Sequence, residues 1–127
     1  MKPQRKAGEY RDQAKKVVFD LVVLSYLENN LNVVYAPSID LFGYGKTESE
    51  ANDSFKTTLE EFIRYTTNKG TLNKVLKQLG WEIKPRKLLF KSPPLGYMLN
   101  QNEQFNEIFN SKSFSKYNQQ VEIALTA

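Results

Sequence analysis

Residues 35–62 read YAPSIDLFGYGKTESEANDSFKTTLEEF, and this stretch decides the fold. Pro37 cannot donate to a strand ladder, so it ends the apolar run before it. Ile39 to Lys46 reads as a strand whose large residues, Leu41, Phe42 and Tyr44, are interleaved with Gly43 and Gly45. Glycines inside a strand mark a bulge or a close approach of another backbone. Thr47 followed three residues later by Glu50 is a capping box. Its hydroxyl accepts from the Glu50 amide, while the carboxylate reaches back to the Thr47 amide. Behind the cap, Ala51, Phe55, Leu59, Phe62, Ile63 and Thr66 recur at helical spacing as one apolar stripe. A strand-to-helix junction is expected, with Pro37, Gly43, Gly45, Thr47, Glu50 and Ala51 as its structural residues.

Upstream, Val17 to Leu27 (VVFDLVVLSYL) is rich in β-branched and aromatic residues and reads as a strand. Its near-continuous apolarity suits a central position buried on both faces. Glu28-Asn29-Asn30 is a turn signal, because asparagine tolerates positive φ, and Leu31 to Ala36 completes a hairpin. Downstream, the helix from Glu48 is expected to run to about Thr67, with Gly70 as its C-cap. Thr71 can cap a second helix, TLNKVLKQL, whose Leu72, Val75, Leu76 and Leu79 share a face, and Gly80 stops it. Trp81 to Ile83 and Lys87 to Lys91 are strand candidates around Lys84-Pro85-Arg86, with core density only in Leu88 to Phe90. Ser92-Pro93-Pro94 is the clearest boundary, since consecutive prolines end regular pairing. Beyond it, Leu95 to Asn110 holds a short helix with Leu99, Phe105, Ile108 and Phe109 facing inward. Gln119 to Thr126 alternates as a terminal strand, with Val121, Ile123 and Leu125 on one side. Such a strand must pair with this sheet's edge or with another copy.

The expected architecture is a single α+β domain. A three-stranded antiparallel sheet, a long helix, a short helix and a further strand (βββααβ) form a core over residues 17–91. A basic arm, 1–16, precedes it, and an extension, 92–127, ends in a strand. The chain contains no cysteine and no histidine. Disulfides, thiolate nucleophiles, cysteine-based zinc sites and histidine acid–base catalysis are thereby excluded. No apolar run is long enough to cross a bilayer, and no secretory signal is read at the N-terminus. A cytoplasmic protein without metal or cofactor is expected.

The formal charge of +4 is unevenly placed. Lys2, Arg5, Lys6, Arg11, Lys15 and Lys16 stand against Glu9 and Asp12, so the arm holds the entire excess. A short helix over Glu9 to Lys16 is open to it, though without a convincing apolar face. The arm reads as a solvated lead-in that could also touch an acidic partner or nucleic acid.

From Pro37 onward the chain resembles the HicB-like antitoxin family. The shared residues are Pro37, Leu41, Gly43, Gly45, Thr47, Glu50 and Ala51, arranged P-x3-L-x-G-x-G-x-T-x2-E-A. Looser similarity continues through TLNKVLKQLGW (Thr71 to Trp81), so that the resemblance covers Val17 to Phe90. It implies a truncated ribonuclease-H-like fold and a non-enzymatic antitoxin that neutralises a small ribonuclease toxin by covering its active site. A homodimer is expected with it. Family members usually add a C-terminal DNA-binding module, and here the 33 residues after Pro94 carry no helix-turn-helix pattern. Autorepression is therefore not expected of this chain. A stand-alone interaction module of the same fold is the alternative.

Two other chemistries can be written from the residues. A ribonuclease-H-like sheet that kept metal-binding carboxylates would need several acids converging in one site. The candidates are Asp20 on the first strand, Asp40 at the start of the third, and Glu60 or Glu61 on the helix. Nucleic-acid contact could instead come from Lys84, Arg86, Lys87 and Lys91. These lie close in sequence to Trp81, Phe90 and Tyr97, which would supply stacking. Lysines on a strand equally protect a sheet edge from association. Binding rather than catalysis is the expected activity.

Overall fold

The computed structural model describes residues 15–125. The chain runs β1 (Lys15–Glu28), β2 (Leu31–Ala36), β3 (Leu41–Gly45), α1 (Glu48–Lys69) and α2 (Leu72–Gln78). A hairpin of β4 (Glu82–Lys84) and β5 (Leu89–Lys91) follows, then α3 (Leu95–Gln101), α4 (Glu103–Ser111) and β6 (Phe114–Leu125). The α+β class and the order of the first five elements are those expected. Lys15 and Lys16 belong to β1 rather than to a leading arm. The rest of the arm, with its short-helix option, lies outside the described residues.

Asn29 and Asn30 both take positive φ, 53° and 66°, so a two-residue turn joins β1 to β2. The main sheet is antiparallel in the order β3-β2-β1-β6. Among the described residues it therefore holds four strands, not three. The C-terminal segment starts at Phe114, five residues before the expected Gln119, and pairs with β1 from Tyr26↔Phe114 to Lys15↔Leu125. Of the two partners open to it, the terminal strand takes this sheet's edge. The further strand expected after α2 is instead a hairpin of two short strands, separate from the main sheet. A 3-10 turn at Pro85–Lys87 bends it, and Leu88 sits exposed at φ 53° instead of opening a core strand.

Side chains alternate across β1, and the two faces carry two cores. Val17, Phe19, Leu21 and Val23 point to one face, where they meet Ala51, Phe55 and Leu59 of α1, Leu72 and Leu76 of α2, and Trp81, Ile83 and Phe90. Phe19 packs edge-on to Trp81 and stacks on Phe90. Leu24 and Tyr26 point to the other face, with Val33 and Tyr35 of β2, and meet Met98, Phe105 and Ile108 of α3 and α4. The molecule has three layers: helices, sheet, helices. The chain crosses between the outer layers at Pro93, which is buried beside β1. Burial of β1 on both faces holds for its second half, while Val18 and Asp20 in the first half are exposed.

Candidate functional site

The junction is built by close approach rather than by a bulge. β2 and β3 pair without interruption from Ala36↔Leu41 to Asn32↔Gly45. α1 lies directly on β3. A methyl group at Gly43 would overlap the backbone of Ala51 and Phe55, and one at Gly45 would come within 2.5 Å of the Ala51 nitrogen. Ala51, fully buried, is the small residue on the helix side of that contact. Thr47 accepts from the Glu50 amide at 3.1 Å. The Glu50 carboxylate accepts from the Lys46 amide at 2.9 Å, one residue earlier than a standard capping box places it. Gly70 closes the helix in the left-handed region, at φ 69°. Thr71 occupies the N-cap position of α2 but makes no side-chain cap bond. Pro37 is buried where β2 ends. All six junction residues thus have structural roles, and none is presented as a chemical group.

The carboxylates do not converge. Asp20 is exposed on the β1 face that α3 and α4 leave open. Asp40, at φ 55°, accepts from the Tyr35 hydroxyl at 2.8 Å. Glu60 is exposed on α1, and Glu61 pairs with Arg64 on the helix surface. Among the described residues, no group of three or more acidic side chains could hold a metal ion.

The basic cluster forms a surface without its aromatic half. Lys84, Arg86, Lys87 and Lys91 are all exposed on the β4–β5 hairpin. Trp81 and Phe90, however, are only 4% and 7% exposed and belong to the first core. Trp81 also donates its indole N–H to the Ser38 carbonyl at 2.6 Å. Of the three aromatics, Tyr97 is exposed, and its ring lies over Gly80. Lys84 pairs with Glu82, and Glu82 stands opposite Lys91 across the hairpin. The acidic neighbour dilutes the local charge.

An apolar surface lies elsewhere, on the second sheet face. A groove of about 420 Å³ opens between the sheet and α3–α4, lined by Val22, Leu24, Pro93, Leu95, Met98 and Phe109. Lys116 of β6 also lines it, and Leu95 is 49% exposed. On the same face of β1 stands Val18, 52% exposed, with Glu122 and Gln120 on the neighbouring strand.

One polar chain holds the helices beside this groove. Asn102 caps α4 by accepting from the Phe105 amide at 3.0 Å, and donates its amide to the Tyr35 hydroxyl at 2.8 Å. Tyr35 in turn donates to Asp40. Burial, together with the bond to Asp40, raises the Tyr35 phenol far above its ordinary value. Of the expected inward residues, Phe105 and Ile108 are fully buried and Leu99 and Phe109 partly so. Met98 is a core residue that sequence reasoning missed, because a lone methionine in LGYMLN marks no face.

No family model, curated protein or solved structure matches the chain.

Proposed function

We propose that the chain is a non-enzymatic binding protein of the HicB antitoxin type, neutralising a small ribonuclease toxin by direct contact. The observation that carries this reading is the Leu41–Ala51 junction. Its two strand glycines, its cap and its small helix residue, the residues that carry the resemblance, act together in one tight contact. The partner surface assigned here is the open part of the second sheet face, where Val18 and the groove offer apolar area next to Lys116 and Glu122. Residues 95–125 build α3, α4 and β6, which border the surface assigned to the partner.

The test is genetic and biochemical together. A small basic protein encoded beside this gene should arrest growth, co-expression of this chain should restore it, and the two should co-purify. Val18→Glu should abolish rescue while leaving the fold intact. Failure of the neighbour to co-purify, together with no rescue, overturns the proposal.

Exposure of Lys84, Arg86, Lys87 and Lys91 on one hairpin supports a second reading, weak nucleic-acid contact. Affinity should then fall steeply with salt, and a flat salt response ends that reading.

A further inference from the structure

β6 is the longest sheet edge among the described residues. Its twelve residues pair with β1 on one side, and on the other side no strand lies against it among the described residues. The opposite edge, β3, is five residues long. Natural edge strands usually avoid association by being short, bulged, interrupted by proline, or lined with lysine. β6 has none of these protections. It contains no proline or glycine, its register with β1 is unbroken, and Lys116 is its one lysine. α1 does not cover this edge either. A groove of about 500 Å³ separates Lys56, Glu60 and Arg64 from Gln119, Gln120 and Glu122.

We propose that β6 is a self-association strand. It pairs antiparallel with β6 of a second copy about a two-fold axis at Gln119, joining two four-stranded sheets into one of eight strands. The charge pattern selects both the occupant and the register. Lys116 and Glu122 lie three residues either side of Gln119, on the same face of the strand. In an antiparallel two-fold pair, opposite residues share a face, so the available registers step by two residues. Centring on Gln119 sets Lys116 directly opposite the partner copy's glutamate at 122, and does so twice. Centring on Asn118 would set Lys116 opposite glutamine, and centring on Gln120 would set Glu122 opposite asparagine. The favoured register also aligns Asn118 with Gln120 and Tyr117 with Val121, an amide pair and an aromatic–aliphatic pair. Glu122 already lies 3.6 Å from Lys16 of its own chain, with both side chains exposed. Another cation can therefore reach it.

The pairing is argued from β6 alone, although Lys116 and Glu122 also border the partner surface proposed above. Sedimentation of the chain without any partner tests it separately from that reading. The full chain should sediment as a dimer, with dissociation on dilution. Lys116→Glu alone, or Glu122→Lys alone, should shift it at least tenfold toward monomer, because each places like charges opposite. The double exchange should restore the dimer. The chain has no cysteine of its own, so Gln119→Cys provides a clean positional probe. Under mild oxidant it should cross-link faster than Lys116→Cys or Glu122→Cys. A chain that stays monomeric at every concentration overturns the proposal. So does a dimer indifferent to the charge exchange, or one that cross-links faster through another β6 position. Circular dichroism on each variant separates lost pairing from lost folding.

Discussion

At the scale of single residues, the sharpest constraint is space. Gly43 faces the α1 backbone with no room for a methyl group, and the atoms in its way cannot swing aside as a side chain end would. Gly43→Ala should cost about 3 kcal/mol through overpacking, measured by urea denaturation. Gly96, in α3, has nothing near its missing methyl. Gly96→Ala should be neutral or stabilise by up to about 1 kcal/mol. A second residue is open to improvement. The Ser38 hydroxyl is buried without a hydrogen-bond partner among the described residues, although its carbonyl is taken by Trp81. Ser38→Ala should raise stability by about 1 kcal/mol, read as a higher Tm. The alternation of Gly43 and Gly45 is legible in the sequence as an oddity. That it means helix contact rather than a bulge is not, because both outcomes need a missing side chain.

At the scale of elements, what is legible is what is local. Asn29-Asn30, Thr47 to Glu50 and Gly70 each act within a few residues, so the hairpin and α1 can be read directly. The β1–β6 pairing joins residues about a hundred positions apart, and no short-range signal announces it. The same holds for the burial of Trp81 and Phe90, whose neighbouring lysines suggest a stacking surface until Phe19 fills the space between them. α3 and α4 are docked through Asn102, which is at once a cap and a donor to Tyr35. Asn102→Ala should cost about 1 kcal/mol for the cap, and more because the Tyr35 oxygen loses its donor. Tyr35→Phe should reduce the effect of that substitution, and a double-mutant cycle by thermal melting would measure the coupling.

At the scale of the whole molecule, stability should fall at high pH. Burial, reinforced by the nearby Glu28 and Tyr44, pushes the Tyr26 phenol up to about 12. Burial likewise raises Tyr35 and Tyr117, the latter helped by Glu48. In each case the folded state holds a proton that the unfolded chain releases near pH 10. The stabilising contribution is complete below that value and is lost as pH rises toward 12. Melting between pH 8 and 12 should show this decline, and Tyr26→Phe should make it shallower. The extension is not removable either. Ending the chain at Lys91 would strip β6 from β1 and uncover Leu24, Tyr26, Val33 and Tyr35, so the truncated protein should aggregate rather than fold.

The two-sided burial of β1 also bears on how such a chain can drift over generations. One strand serves two cores with alternate residues, so a single inserted or deleted codon within Leu21 to Tyr26 would hand each core the other's side chains. Point changes in this segment can be absorbed one wall at a time, but length changes cannot. Descendants of this sequence should therefore vary in length at Glu28–Asn30 or in the Pro85–Leu88 turn, and keep the residue count of β1 unchanged.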